Sequence, residues 1–198
     1  MTGYNRYEGM TAKQCDKKTL MYYLCRVPAN RALIPAILQL ENKKILDVGL
    51  GSGYYTRLLL EKNKVTGIDQ NPHLCELPIT VHKGDATELG AIVKGEKFDI
   101  VLSTWMTDYL SPGKVKKFFA EAKAVLKNGG KLIVTFPDTY GLGFFYVKAA
   151  RLLRGVEKYT HSKKQIRQQL KETGFTRINI IKLNSWLFLP WAYMIIAE

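Results

Sequence analysis

Short apolar runs alternate with segments of helical periodicity along the central part of the chain. Five of these runs have the length of buried strands, and they lie at 45–48, 64–69, 81–84, 98–103 and 131–136. Before the last run, apolar residues recur at helical spacing over 114–126, as on the buried face of an amphipathic helix, and Asn-Gly-Gly at 128–130 is predicted to cap that helix. Strands that alternate with helices predict a parallel sheet with helices on both faces.

The C-terminal part of the chain departs from this alternation. The pattern predicts a helix over 162–173, with Ser162 as its N-cap and Gly174 as its stop. Two strands follow, at 175–183 and 191–197, with no room for a helix between them. Strands joined by so short a connection are antiparallel. The sequence therefore predicts seven strands, the last of them reversed.

The N-terminal part has the pattern of two short helices. The first covers 18–27 and stops at Pro28, and the second contains Pro35 in its first turn or at a kink. At 198 residues the chain has the length of a single domain. We expect residues 1–43 to form a helical extension or lid. Residues 44–198 are then the main domain, with a helical cap at about 139–160.

Three glycines alternate with other residues directly after the first strand. They are Gly49, Gly51 and Gly53, and the following run has the apolar spacing of a helix that begins near Tyr54. Glycine is needed in such a turn because a Cβ would block it and would keep a ligand away from the backbone. A strand, a glycine turn and a helix are typical of nucleotide-binding α/β folds.

Acidic residues follow the next two strands. Asp69 ends the second strand and precedes Gln70, while Asp85 and Ala86 follow the third strand. Ligands of open α/β sheets bind beyond the carboxyl ends of the strands. We therefore expect Asp69 to accept hydrogen bonds from ribose hydroxyls and Gln70 to lie over a base. Asp85 and the Ala86 N–H would then bind the amine and a ring nitrogen of adenine.

These segments, in this order, resemble the motif set of class I S-adenosylmethionine-dependent methyltransferases. The matching stretches are Asp47 with the glycine turn, 67–69, 84–86, 98–101 and 126–130. The resemblance implies a Rossmann-like, doubly wound α/β sheet of seven strands in the order 3-2-1-4-5-7-6. It also implies that Asp47, the three glycines, Asp69, Gln70, Asp85 and Ala86 form the S-adenosylmethionine site, with Ser103 on the sulfonium side.

Two related classes fit the sequence less well. Nicotinamide dehydrogenases use G-x-G-x-x-G, whereas this turn is G-x-G-x-G and has Tyr54 where the third glycine would fall. Enzymes of the superfamily that methylate nucleic-acid amines carry Asn/Asp-Pro-Pro-Tyr after the fourth strand. This chain has Ser-Thr-Trp-Met at 103–106.

The catalytic residues are less apparent. The methyl group of a sulfonium is already activated, so the enzyme's main task is to align the acceptor atom with it. A base is required only when the acceptor arrives protonated. Asp108 and His161 are the candidates for that base. Trp105, Asp108 and Tyr109, which follow the fourth strand, are candidates for substrate binding. Tyr4 and Tyr7 would close over the cofactor as part of an N-terminal lid.

The net charge of +13 is concentrated in two flanking segments. Residues 1–44 carry eight Lys and Arg against three Asp and Glu, and residues 142–172 carry eight against two. The second segment predicts a basic amphipathic helix, with Lys148, Arg151 and Arg154 on one side and Phe144, Val147 and Leu152 on another. Such asymmetry indicates an anionic partner, such as a membrane surface, or a purely solvated face.

Cysteine and histidine usage favours a reducing compartment without a structural metal. The three cysteines form no C-x-x-C pair and the three histidines are scattered. The N-terminus has no secretory pattern, and the apolar run at 186–197 is too short to span a bilayer. We therefore expect a cytoplasmic protein.

The sequence as a whole predicts a single-domain methyltransferase that uses S-adenosylmethionine and acts on a small or amphipathic metabolite, through an O, N or C atom. Two alternatives stay open. One is a non-catalytic S-adenosylmethionine-binding protein, and the other is an RNA methyltransferase that uses the basic flanks.

Overall fold

The computed structural model describes residues 20, 22–154, 157–184, 186 and 189–198, with the backbone alone given for Leu153 and Arg154. Its strands are β1 (Lys44–Val48), β2 (Lys64–Asp69), β3 (Val81–Lys83), β4 (Phe98–Ser103), β5 (Leu126–Pro137), β6 (Ile178–Asn184) and β7 (Pro190–Ala197). Its α-helices are α1 (Val27–Leu38), α2 (Leu89–Val93), α3 (Pro112–Val125), α4 (Leu142–Arg154) and α5 (Lys163–Glu172).

The described strands form one sheet in the order β3-β2-β1-β4-β5-β7-β6. The first five strands pair in parallel, and β7 runs antiparallel to both β5 and β6. This is the Rossmann-like order that the motif set implied, with the last strand reversed. The predicted fold class is confirmed. Because parallel strands end at one edge, the loops that follow β1, β2 and β4 meet above that edge.

Helices cover both faces of the sheet, and the strands send alternate side chains to each. On one face, Leu46 and Val101 pack with the buried stripe of α3 and with Ile166 and Leu170 of α5. On the other face, Ile45 and Leu102 pack with α1, and Trp191 joins the same cluster. The stripe predicted for α3 is confirmed, since Val115, Phe118, Phe119, Ala122 and Val125 are all buried. Ser162 caps α5 as predicted, accepting from the Gln165 N–H.

The N-terminal helices differ from the prediction. A π-helical turn, Tyr22–Arg26, leads directly into α1, so Pro28 does not stop a helix but lies in the first turn of one. Proline suits that position because the first N–H groups of a helix have no partner within it. Pro35 lies inside α1 rather than in its first turn. The helix predicted to start near Tyr54 is a single 3₁₀ turn, Thr56–Leu58.

That shortening has a local cause. The amides of Leu58 and Leu59 bond three residues back, to Tyr55 and Thr56, instead of four. The Asn63 side-chain amide then donates to the carbonyl oxygens of Leu59 and Leu40, which ends the segment after a few residues. Tyr55 and Leu59 still bury their side chains, so the apolar spacing was real although the backbone is not an α-helix.

Two further predictions about individual segments were wrong. The Asn-Gly-Gly segment at 128–130 does not cap α3, because β5 begins directly after the helix and continues through these residues. A shift in the register between β4 and β5 accommodates the irregularity. In α4, Val147 and Ala150 face the protein, while Leu152, predicted to share their side, is 85% exposed. Among the residues described, no helix has both the length and the apolar character to cross a membrane.

Candidate functional site

A cavity of about 520 Å³ opens at the carboxyl edge of the sheet, where the loops after β1, β2 and β4 meet. One wall comes from the predicted cofactor motifs, and its residues include Gly49, Gly51, Asp69, Gln70 and Ala86. The rest of the lining, called the acceptor wall below, comes from the loop after β4, from α4 and from the segment before α5. Its residues include Trp105, Met106, Asp108, Tyr109, Tyr146 and Lys158.

The glycine turn is held against the end of β2. Gly49, Gly51 and Gly53 all have positive φ, at 73°, 56° and 77°, a conformation that residues with a Cβ rarely adopt. The Gly51 N–H donates to Asp69 Oδ2 at 2.9 Å, and the Asn71 N–H donates to Asp69 Oδ1 at 2.8 Å. A carboxylate has about four acceptor positions, so Asp69 keeps room for further donors from a ligand in the cavity.

The predicted adenine residues divide between the cavity and its support. Ala86 and Gln70 line the cavity, and the Gln70 side-chain amide donates to Asp85 Oδ2 at 3.0 Å. Asp85 itself caps the 3₁₀ turn Ala86–Glu88, with Oδ1 accepting from the Thr87 N–H at 2.9 Å. Asp85 is therefore placed to orient Gln70 and the Ala86 backbone rather than to line the cavity itself.

Besides Asp85, three residues predicted for the cofactor site do not line the cavity. Ser103 is fully buried and donates to the Val48 carbonyl oxygen at 2.9 Å, so it ties β4 to β1, and its neighbour Thr104 lines the cavity instead. Gly53 packs against Leu77 below the turn, where an added Cβ would lie 2.5 Å from a Leu77 methyl carbon. Asp47 is 1% exposed, and Thr56 Oγ1 donates to its Oδ2 at 2.6 Å.

Burial raises the pKa of Asp47 to about 7, although the hydrogen bond from Thr56 acts in the opposite direction. Within the described residues its Oδ1 has no hydrogen-bond partner. A carboxyl group whose pKa is higher in the folded protein binds its proton more tightly there. Its contribution to stability is therefore complete below the unfolded pKa of about 4 and is lost as the pH rises through 7.

We expect Asp47→Asn to match the wild type in stability near pH 5 and to exceed it at pH 8 by about 1–3 kcal/mol, because the amide cannot ionise. Urea unfolding from pH 4 to 8 measures this. Asp99→Asn is the control, since the hydrogen bond from Lys127 lowers the pKa of Asp99, and its difference from wild type should therefore stay constant above about pH 5. A difference between Asp47→Asn and wild type that stays constant across this range would contradict the prediction.

Trp105 is fixed in the cavity wall by several contacts. Its φ of 60° is unusual for a bulky residue. Its backbone N–H donates to Thr135 Oγ1 at 2.7 Å, and its ring N–H donates to the Tyr55 hydroxyl at 2.8 Å. The Arg26 guanidinium lies 5.1 Å from the Trp105 ring centroid. Arg26, which also lines the cavity, carries no motif that would have identified it from the sequence.

Asp108 and Lys158 form a buried ion pair on the same wall. Lys158 Nζ donates to Asp108 Oδ2, and the two residues are 6% and 5% exposed. Burial by itself would lower the pKa of Lys158, but the charge of Asp108 together with Tyr146 and Tyr109 raises it well above its usual range. Lys158 therefore carries its proton. No sequence pattern selects Lys158, since it lies 50 residues from Asp108 and belongs to no motif.

The remaining candidates have different outcomes. Tyr109 lines the cavity beside Asp108, and its role in substrate binding stays a prediction. His161 is fully buried, packs edge-on against Phe136 and does not line the cavity, so the proposal that it reaches the acceptor as a base was wrong. Burial lowers the pKa of His161, which favours the neutral ring. Tyr4 and Tyr7 lie outside the described residues, as do the other residues of 1–19 and Met21 in the predicted extension over 1–43.

The fold and the arrangement of the cavity define a Rossmann-like domain with the methyltransferase motifs at its carboxyl edge. Residues 46–134 match the family model described as a methyltransferase domain. The chain is also 29% identical, over 77% of its length, to 2-methyl-6-phytyl-1,4-hydroquinone methyltransferase of Arabidopsis thaliana, of which it covers 46%. It is 30% identical, over 66% of its length, to ubiquinone biosynthesis O-methyltransferase of Bartonella quintana, of which it covers 56%.

A solved structure shares the fold across nearly the whole chain. Magnesium protoporphyrin IX methyltransferase from Synechocystis, crystallised with bound S-adenosylhomocysteine, superposes with a TM-score of 0.65 at 18% identity. The match covers 98% of this chain and 91% of that one. Residues 46–134 thus match a methyltransferase domain, and the chain shares the fold of this S-adenosylhomocysteine-bound enzyme, in agreement with the resemblance of its motifs. It spans about half the length of the curated relatives that it matches.

Proposed function

We propose that this protein transfers a methyl group from S-adenosylmethionine to a small, amphipathic acceptor bound in the cavity at the carboxyl edge of the sheet. When bound, S-adenosylmethionine supplies a methyl group that its positively charged sulfur has already activated. The observation that carries the proposal is the cavity itself, which is lined both by the cofactor motifs and by a set of aromatic and charged side chains.

The cofactor wall has the features that an adenosyl ligand requires. Gly49 and Gly51 leave the backbone bare at the turn, and Asp69 keeps acceptor positions for a ribose diol. Ala86 and Gln70 also line the cavity and are the candidates for contact with the base. Gly49 and Gly51 would thus border the methionine part, Asp69 the ribose, and Gln70 and Ala86 the adenine.

The acceptor wall supports a ligand that is mainly apolar with one polar group. The rings of Trp105, Tyr146 and Trp191 contribute apolar surface, and Asp108 with Lys158 contributes the buried polar group. One relative is named for a phytyl hydroquinone and another for ubiquinone biosynthesis. The chemistry of the lining and these names support an amphipathic acceptor.

Peripheral membrane contact is a subordinate part of the proposal. Phe145 and Leu152 of α4 are 65% and 85% exposed, and Lys148 and Arg151 are exposed on the same helix. Apolar side chains flanked by cations are the pattern of helices that lie in a membrane interface. Sedimentation with anionic and neutral vesicles tests this contact. Equal recovery with both would remove it from the proposal, which otherwise retains the cytoplasmic location expected from the sequence.

The proposed cofactor site can be tested by the affinity of one variant for S-adenosylhomocysteine. Asp69→Ala should weaken S-adenosylhomocysteine binding by about 1–3 kcal/mol, because the ribose loses a charged acceptor. Isothermal titration calorimetry measures this. Asp99→Ala, at the opposite edge of the sheet, should leave the affinity unchanged. Equal affinities for the Asp69→Ala variant and wild type, or binding of NAD in place of S-adenosylhomocysteine, would contradict the site.

Catalysis needs a separate measurement, because a non-catalytic binding protein would bind S-adenosylhomocysteine in the calorimeter just as an enzyme would. Incubation with S-adenosylmethionine carrying a labelled methyl group, followed by mass spectrometry of a cell extract, detects transfer to any metabolite. Label in RNA alone would favour the alternative that uses the basic flanks. Tight binding with no label in any fraction would favour a sensing or scaffolding protein.

A further inference from the structure

The Asp108–Lys158 pair is incomplete as a hydrogen-bonded unit. Asp108 Oδ2 accepts from Lys158 Nζ, whereas Asp108 Oδ1 is buried and has no hydrogen-bond partner among the residues that the structure describes. Both residues line the cavity. A buried carboxylate oxygen without a donor costs free energy, of the order of 1–3 kcal/mol, unless a ligand supplies one.

The surroundings of Lys158 keep its ammonium group charged and shielded. Nζ lies 3.8 Å from the ring centroid of Tyr109 and 4.9 Å from that of Tyr146. Cations are attracted to the faces of aromatic rings, and the two rings keep water away from the group. The ammonium and the unpartnered carboxylate oxygen therefore lie side by side on the acceptor wall of the cavity.

Few ligand groups match this combination. A protonated amine can donate to Asp108 but is repelled by Lys158, and a carboxylate can accept from Lys158 but is repelled by Asp108. A hydroxyl group does both, because it donates one hydrogen bond and accepts others. The geometry points to an acidic hydroxyl, such as that of a phenol or enol, as the group of the methyl acceptor that Asp108 and Lys158 bind. This inference rests on the proposed function and specifies its acceptor.

The pair also has the charges needed to remove the proton of such a hydroxyl. The proton passes from the hydroxyl oxygen to Asp108 Oδ1, and the electron pair of the O–H bond stays on the acceptor oxygen beside the Lys158 ammonium. Asp108 releases the proton to solvent when the product leaves. Of the nearby titratable groups, Tyr109 and Tyr146 face Lys158, His161 is neutral, and Arg26 lies against Trp105 on the cavity wall.

A purely structural role for the pair is the competing explanation. The Tyr159 N–H donates to the Asp108 carbonyl oxygen at 2.7 Å, so the segment before α5 is already attached to the loop after β4. The ion pair would then serve only to reinforce this attachment. The two roles differ in what happens to the ionisation of a bound phenol.

The experiment uses 4-nitrophenol, whose phenolate form absorbs visible light, with protein saturated by S-adenosylhomocysteine. We expect the probe to bind, and benzylamine and benzoate to bind at least about tenfold more weakly. Lys158→Met leaves the charge of Asp108 uncompensated and should raise the pKa of the bound probe by about one unit. Asp108→Asn leaves the charge of Lys158 uncompensated and should lower that pKa by a similar amount.

The controls separate folding from recognition. Asp108→Asn/Lys158→Met removes both charges, so it should fold and bind S-adenosylhomocysteine as wild type does, while binding 4-nitrophenol at least about tenfold more weakly. Lys116→Met, which breaks an exposed pair with Glu172, should change neither ligand. If the wild type fails to bind S-adenosylhomocysteine, the proposed function itself falls.

Other outcomes overturn the inference alone. They are retention of S-adenosylhomocysteine without binding of 4-nitrophenol, equal binding of benzoate or benzylamine, a pKa shift of the same sign in both single variants, or unchanged probe affinity in the double variant.

Discussion

Gly143→Ala should destabilise the protein by about 2–4 kcal/mol and detach α4 from the sheet. A Cβ on Gly143 would lie 2.3 Å from the Trp191 carbonyl oxygen and 2.6 Å from the Asp138 nitrogen. Both are backbone atoms, and they are hydrogen-bonded to each other at the junction of β5 and β7. Neither can move without breaking the sheet, so the helix must move instead.

The displacement of α4 should disturb the acceptor wall of the cavity and leave the cofactor motifs in place. α4 carries Tyr146, which lines the cavity and packs edge-on against Trp191 with the ring centroids 5.1 Å apart. We therefore expect Gly143→Ala to lose affinity for 4-nitrophenol while retaining S-adenosylhomocysteine. Urea unfolding and hydrogen exchange of the α4 amides measure the effect on stability.

Gly113→Ala is the matched control for this change. Gly113 also lies in a helix, in the first turn of α3, and a Cβ there would meet no atom within 4 Å. Alanine should therefore be neutral or slightly stabilising at position 113, by up to about 1 kcal/mol. If the two variants unfold at the same urea concentration, the close contact at Gly143 does not limit the docking of α4.

The strand order and the cofactor wall could be predicted because their signals are local. A buried parallel strand is a short apolar run, and Asp69 follows such a run directly, so one stretch of sequence specifies both the strand and the position of the carboxylate. The glycine turn is equally local. Its three glycines stand at alternate positions and each has a positive φ, which residues with a Cβ rarely adopt.

The elements that were predicted wrongly depend on contacts that the sequence pattern does not contain. The residues after the glycine turn have the apolar spacing of a helix, but the Asn63 side chain, hydrogen-bonded to Leu40 and Leu59, ends the segment early. His161 and Ser103 are polar residues that the fold buries in supporting roles. A polar residue beside a strand end has the same local pattern whether it faces the cavity or the core.

The acceptor wall shows the same limit more strongly. Asp108 was identified because it follows β4, but its partner Lys158 comes from the segment before α5, and Arg26 comes from the π-helical turn before α1. Three segments that are distant in the sequence meet on one wall. The spacing of residues within a single segment does not predict such a contact between segments. Among the residues that line the cavity, Asp69 and Asp108, which end or follow strands, could therefore be predicted, whereas Lys158 and Arg26, which come from the covering segments, could not.

Gly49→Ala should abolish measurable binding of S-adenosylhomocysteine, a loss of at least about 100-fold, in a protein that stays folded. Gly49 has a φ of 73°, and a Cβ there would lie 2.3 Å from Met106 Cγ and 2.7 Å from Met106 Cβ. The Met106 backbone is constrained by Trp105, whose N–H is bonded to Thr135. Relief therefore requires the Met106 side chain to turn into the cavity or the glycine turn to shift, and either change removes space that the ligand needs.

Gly129→Ala separates this collision from the backbone strain of alanine at positive φ. Gly129 has a φ of 74°, almost the same as that of Gly49, but a Cβ there would meet nothing within 4 Å, and the residue does not line the cavity. Both variants should lose about 1–2 kcal/mol of stability from the left-handed conformation. Only Gly49→Ala should lose the ligand, as measured by calorimetry at a pH where both remain folded. Equal ligand affinities in the two variants would mean that Met106 yields to the added methyl group, and that the turn tolerates a side chain at the position where the cofactor is proposed to bind.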